Sequence, residues 1–547
     1  MSDSPASASP DLGMRRRDVL RAGGLAGAAT LLAPALPSHA AQPTGPAFQH
    51  GVASGDPLPD RVILWTRVTP AADATPGSGV GPDVTVRWQV ATDAEFRSVV
   101  ASGAVRTGVA RDHTVKIDAD GLAPGRWYFF RFAFADQHSA IGRTRTAPAA
   151  DVQPDRLRFG VVSCSNWQSG HFASYRHLAE RDDVDAVLHL GDYLYEYGPG
   201  EYGSFRRHDP PHEMITLADY RGRHAQYKTD PQLQSLHAAC PWIITWDDHE
   251  TANDAWSGGA ENHTEGEEGS WTSRRRQAKQ AYAEWMPIRF GDGAQLYRRL
   301  RFGTLAELTM LDLRTYRSQQ ASEIGEADDA DRTIVGAEQL AFLRDSLLAE
   351  DVQWKLIGNP VMFSPLLLPP LPRVVGEPLA ELTGLVPEDG VPVNVDQWDG
   401  YQHDRRELIR LLANQGVQNT VFLTGDIHTS WAFEVPLDAG LYPFSRTVAT
   451  EFVVPSVTSD NIDELTGAPP RTVSVSVEQA ARTLNRHLKW VELDSHGYTI
   501  CDVTADRVQM DWYFLADRED AGSAAHHAKS FAVTAGTQRL RAVSDPV

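Results

Sequence analysis

Cysteine is scarce, long apolar runs are few, and basic charge is in deficit. The 547-residue chain has three cysteines, Cys164, Cys240 and Cys501. An odd count cannot pair completely, which excludes a disulfide scaffold and leaves open whether Cys240 and Cys501 bond. Beyond the N-terminus no stretch reaches the ~20 apolar residues of a spanning helix, so no stable membrane anchor is expected. Lysine plus arginine against aspartate plus glutamate gives 51 − 72 = −21. That balance argues against broad binding to nucleic acid or anionic membrane, both of which need phosphate neutralised by Lys and Arg. Small anionic substrates stay open, because one local metal site outweighs the overall sign.

The N-terminus reads as an export signal. Arg15-Arg16-Arg17-Asp18-Val19-Leu20-Arg21 precedes a mild apolar run over 22–36, and Ser38-His39-Ala40 supplies small residues before a cleavage point. Adjacent arginines followed by Asp-Val-Leu-Arg resemble the twin-arginine signal, which delivers folded proteins. Residues 1–41 are therefore expected to be removed after passage through the twin-arginine machinery, leaving a periplasmic or extracellular protein. The segment carries +4 and −3, so the remainder sits near −22.

What remains has two rhythms. Residues 47–147 alternate with period two, in Arg61–Val68, Val84–Val90, His113–Ile117 and Gly125–Phe134, with Gly and Pro turns between. A hundred residues of this kind predicts an all-β immunoglobulin- or fibronectin-like sandwich. Residues 147–154 read as a linker. From 155 to about 540, short apolar runs alternate with helical stretches such as 337–349, where Leu340, Leu343 and Leu347 share a face, so an α/β domain is expected. Residues 363–400, rich in Pro and Leu, read as a long loop or lid.

Four apolar runs end at metal-ligand side chains: Cys164, Asp192, Asp247/Asp248 and Asp426. Open α/β sheets bind ligands beyond the carboxyl ends of their strands, so four endings of this kind predict one rim. Singly each has an ordinary explanation, as turn residue, cap or core packing. Together, Asp192 is placed to bridge two metals, Tyr195 to bind as a phenolate favouring Fe³⁺, Cys164 as thiolate and His428 as imidazole. His249 is a candidate general acid or phosphate donor. Ser273-Arg274-Arg275-Arg276 opens a helix with the stripe Ala278, Ala281, Tyr282 and Trp285, which turns Arg274 and Arg275 inward toward an anion, unless the run is an ordinary ion-paired surface.

These motifs resemble the PhoD-type alkaline phosphatase and phosphodiesterase family, within the metallophosphoesterases. The resemblance runs from Gly51–Pro57 and Ile63–Arg67 through Ser163–Asn166, His189–Tyr197, Trp246–Glu250, Leu311–Arg317, Gln397–Tyr401 and Leu423–His428. It implies a four-layer α/β/β/α sandwich behind the immunoglobulin-like domain. It implies iron at Cys164, Asp192, Tyr195 and His428, and calcium at a set drawn from Asp192, Asp248, Asn253, Asp399 and Asp426, with Arg275 the candidate phosphate contact. Oxygen donors at the second metal, where the wider superfamily has nitrogen, favour Ca²⁺ over Zn²⁺. The expected reaction is hydrolysis of a phosphate ester by water or hydroxide activated at the metals. The rival enzymatic reading is a phospholipase-D-like diesterase. Rivals from other classes are a secreted binding protein that does not turn over and an iron oxidoreductase. A monomer is expected.

Overall fold

The computed structural model describes residues 45–291, 295–349 and 351–547. The export segment expected over 1–41 lies outside them. The architecture is mixed α/β with two large sheets.

The larger sheet has ten strands. In spatial order they run Leu540–Val543, Ala525–Thr534, Arg507–Leu515, Gly497–Thr504, Arg156–Val162, Ala186–Leu190, Trp242–Thr245, Val52–Leu58, Arg61–Arg67 and Thr114–Ala119. The second has seven, with Ala306–Met310, Trp354–Asn359, Thr420–Thr424 and Thr447–Val453 parallel at its centre. Arg156–Val162, Ala186–Leu190 and Trp242–Thr245 are parallel too. Their nearly continuous apolar sequence follows from burial on both faces.

Alternation sorts the side chains into two cores. Phe159, Val161, Leu188, Leu190 and Ile243 pack between the sheets against Leu308, Met310, Leu356 and Leu423. Val162, Val187, Trp242 and Ile244 face the other way, against Leu178, Tyr220, Leu236 and Tyr282 of four helices. On the far side of the second sheet, Ile357 and Phe422 meet Leu343, Leu347, Leu408 and Leu412 of two more helices. Each fully buried side chain of this size contributes about 1.5–3 kcal/mol of transfer free energy.

The N-terminal region shares a sheet with the rest. Val52–Leu58 pairs parallel to Trp242–Thr245, and Arg61–Arg67 and Thr114–Ala119 continue the ladder outward. A separate five-stranded sheet, built on Val84–Ala91 and Trp127–Phe134, packs across them through Val62, Leu64, Val86, Val115, Phe130 and Phe132. Two β layers with one core are present, and one layer is the edge of the large sheet. Period-two patterning shows which face is buried and not which strand lies alongside, so sharing was invisible in the sequence.

Residues 363–400 are more ordered than the loop expected there. They hold a hairpin of Leu367–Pro370 and Gly390–Pro392 around an Arg373–Thr383 helix. All three cysteines are free and buried, so Cys240 and Cys501 do not pair. Among the described residues no helix is long and apolar enough to cross a membrane.

Candidate metal centre

The parallel strands deliver their last residues to one rim, and the backbone there is unusual. Cys164, Asp192, Asp254, Asp426 and His428 all have positive φ, between 55° and 66°. Non-glycine residues held in that region cost roughly 1–3 kcal/mol each and persist where the surroundings over-determine them. Here they do. Cys164 N–H donates to Gly191 O at 3.2 Å and Ser165 N–H to Asp192 O at 2.9 Å, tying two strand ends together. Glu250 ties in a third, accepting from Asp192 N, Tyr193 N and Asp247 N at 3.2, 2.8 and 2.9 Å.

Two donor sets result. Cys164, Asp192 and His428 offer ligand atoms within 4.8 Å of one another, as do Asp192, Asp248 and His249. Asp192 belongs to both. Its Oδ2 accepts from the Tyr195 hydroxyl at 3.1 Å, while its Oδ1 is buried without a hydrogen-bond partner. Tyr195 Oη is also 3.2 Å from His428 Nε2. His428 Nδ1 bonds Asp460 O at 2.8 Å, fixing Nε2 as the lone-pair nitrogen toward the centre. Burial raises the Cys164 thiol and the Tyr195 phenol well above their ordinary ranges, and holds His428 down at about 4. The imidazole is therefore neutral and ready to ligate, and the thiol and phenol keep their protons until a cation replaces them. Cys164, Asp192 and His428 thus form a donor set able to hold a metal ion, with the Tyr195 phenol beside it.

The rim opens into a cavity of about 450 Å³. Asp192, Asp248, His249, Asn253, Asp426 and His428 line it, as six of the predicted site residues; Cys164 and Tyr195 lie beneath. The lining also includes Glu201, Asp254 and Asp396, making six carboxylates and no lysine or arginine. Burial, then neighbouring acids, raises Asp192 and Asp426, and Asp254 to about 7. So much buried negative charge repels a phosphate unless cations intervene.

His249 is held from behind. Its Nδ1 is 2.8 Å from Glu196 Oε2, and Glu196 Oε1 accepts from Asn253 N at 2.7 Å and Asn262 Nδ2 at 2.9 Å. Burial opposes the charged forms of both. The pairing overcomes it, raising His249 well above its usual range and lowering Glu196.

Two predicted residues are placed elsewhere. Asp399 is buried in an ion pair with Arg405, its Oδ2 accepts from Leu366 N at 2.9 Å, and it does not line the cavity. Asp396, three residues earlier, takes the pocket position. Arg275 donates to Ser257 O at 2.7 Å and does not line the cavity. Its neighbour Arg274 does turn inward, but Glu213, Glu268 and Tyr220 engage it at 2.5, 3.0 and 3.1 Å. The inward helix face therefore serves packing.

The arginine at the centre is Arg314. It grips both carboxylate oxygens of Asp247 and lies 3.0 Å from Asp396, 3.5 Å from Asp248 and 3.6 Å from Asp426. Its motif, Leu311–Arg317, stands out in the sequence, but nothing there says which residues it faces. Glu196 and Glu250 are also signalled only by position, inside the Tyr195 and Asp248 motifs.

Comparison with known proteins identifies the family. The PhoD-like phosphatase family matches residues 159–512, and the PhoD-like phosphatase N-terminal domain matches 32–148. Alkaline phosphatase D of Bacillus subtilis (strain 168) is 35% identical over 514 residues, covering 91% of this chain and 82% of that protein. The solved structure of PhoD aligns with a TM-score of 0.80 at 33% identity, over 92% of this chain and 93% of that one. The chain is thus a phosphoric ester hydrolase by fold and by relatives. The chain belongs to the PhoD-like phosphatase family.

Proposed function

We propose that the protein is an exported, metal-dependent hydrolase of phosphate esters with an iron–calcium centre. The fold reading is the four-layer α/β/β/α sandwich with an immunoglobulin-like N-terminal layer pair. Cys164, Asp192, Tyr195 and His428 would hold Fe³⁺; Asp192, Asp248, Asn253, Asp396 and Asp426 would supply the oxygen ligands of Ca²⁺. The observation that carries the reading is the position of Asp192 in both donor sets, with one buried oxygen unpartnered. When bound, such cations neutralise phosphoryl oxygens and acidify water.

The chain's own residues do the rest. Glu196 holds His249 by Nδ1, so Nε2 is the nitrogen that gives a proton to the leaving oxygen. Arg314 keeps the carboxylates convergent and has no spare direction for substrate. No serine nucleophile is required. The twin-arginine segment sends the loaded enzyme to the periplasm or beyond.

A phosphodiesterase reading has a specific observation in its favour. The pocket lining has no lysine or arginine to meet the second negative charge of a monoester. Hydrolysis of a chromogenic monoester and its matched diester, with calcium and with chelator, tests both. Calcium-dependent turnover is expected, with the diester preferred. Calcium-independent turnover, or none on either ester by metal-loaded protein, overturns the proposal.

A further inference from the structure

The five most exposed large hydrophobic side chains among the described residues are Phe444 (93%), Leu382 (84%), Val374 (77%), Leu385 (70%) and Leu465 (66%). All fall between residues 374 and 465, on pieces that touch. The Arg373–Thr383 helix buries only Gly376 of its eleven residues. A Cβ on Gly376 would lie 1.8 Å from Glu388 O, so that side is pressed to the protein. Val374, Val375, Leu379 and Leu382 share an arc of roughly 140° on the helical wheel, bordered by Glu377 and Glu381. An apolar stripe normally faces a core, yet Val374, Val375 and Leu382 are exposed.

A basic groove adjoins it. Gln479, Arg482, Thr483, Arg486, Leu488 and Lys489 line about 620 Å³, and among the described residues neither Arg482 nor Arg486 has an acidic partner. Asn485, beside Arg486, exchanges hydrogen bonds with Leu367 at 3.0 and 3.2 Å, next to exposed Leu368. Lys489 Nζ donates to Tyr442 Oη at 2.7 Å, two residues before Phe444. Gly440 abuts Leu371 and Pro372 at the start of the exposed helix. Groove, Phe444 loop and helix thus form one continuous stretch of surface.

We propose that this stretch docks the protein on an anionic phospholipid bilayer, with the apolar side chains entering the interface and Arg482, Arg486 and Lys489 meeting the headgroups. The overall charge of −21 opposes both self-association and broad adsorption, so binding is confined to the patch where the sign reverses. A helix carrying solvent-facing apolar side chains beside unpaired cations is the arrangement of an interfacial element. The same segment continues in sequence to Asn394 and Asp396, which line the metal-centre cavity.

Flotation of the full chain with vesicles of phosphatidylglycerol and phosphatidylcholine, and of phosphatidylcholine alone, tests this. Arg482→Gln with Arg486→Gln should weaken partition onto the anionic vesicles about thirtyfold. Val374→Ser, Leu382→Ser and Phe444→Ser together should abolish it, and turnover of a soluble ester should stay within about twofold in both variants. The N-terminal segment is common to all three proteins, so the differences report the patch alone. Equal partition of parent and variants overturns the proposal. So does a parent dimer in sedimentation that the apolar triple variant dissociates, which would make the face an interface between copies. The soluble-ester control fails independently if the hydrolase reading is wrong.

Discussion

Replacing Arg314 by methionine removes the guanidinium that faces Asp247, Asp248 and Asp426, while Asp396 keeps its pair with Arg317. Breaking a buried ion pair by removing one partner costs about 3–5 kcal/mol. At about 2.1 cal/mol/K per residue, roughly 500 ordered residues give an unfolding entropy near 1 kcal/mol/K, so Tm should fall by about 3–5 °C in chelator. Asp192, Asp247 and Asp426 already have raised pKa values, principally through burial, so at low pH they hold protons. The loss should therefore grow as pH rises and these groups ionise without their counter-charge. Calcium supplies that charge and should restore at least half of the lost Tm. Scanning calorimetry of parent and variant, with chelator and with calcium at two pH values, reads all of this. An unchanged Tm in chelator, or an equal drop with calcium present, would refute the reasoning.

Four further outcomes are expected. Lys228 is buried against Tyr193, His237 and Trp65, and burial holds it down at about 7. Below pH 7 both folded and unfolded chains carry its proton and the burial penalty is complete. Between about 7 and its ordinary 10.5 the unfolded chain binds a proton that the folded chain does not, so stability rises with pH. Lys228→Met should flatten the rise in Tm across that window, and a parallel slope in both proteins would contradict it. His249→Gln should cut kcat by about 10²–10⁴ for esters with poor leaving groups and much less for a nitrophenyl ester, in steady-state assays. Asp396→Asn should raise the calcium needed for half-maximal turnover by more than about tenfold. Asp399→Asn should lower Tm through its buried pair with Arg405 and leave the calcium requirement intact.

The rim itself was legible because Cys164, Asp192 and Asp426 each follow an apolar run, and strand ends of an α/β sheet converge. Cys164, Asp192 and Asp426 needed no long-range information beyond that rule. Asp396 lies just before the Trp398–Gly400 turn that holds Asp399, and only the tertiary partners decide between them. Arg405, one turn into the next helix, holds Asp399 away from the cavity, while Arg314 and Arg317 hold Asp396 at its lining. Arg275 was misplaced for a similar reason. Helical spacing correctly turned Arg274 inward, but spacing does not reveal that Glu213 and Glu268 wait there. The sharing of a sheet by N-terminal strands Val52–Leu58, Arg61–Arg67 and Thr114–Ala119 is a pairing choice between distant segments, which alternation does not encode. Hydrogen-bond networks such as Glu250 across two strand ends are legible only once the ends are in place.

The most direct test is the visible absorption spectrum of natively exported protein beside its Tyr195→Phe variant, with iron and calcium content measured in both. The account predicts a coloured, iron-containing parent whose band arises from phenolate and thiolate bound to Fe³⁺. In the variant the band should shift and weaken, with iron largely retained by Cys164, Asp192 and His428. A colourless parent that contains calcium alone, or a band unchanged by loss of the Tyr195 hydroxyl, would contradict it.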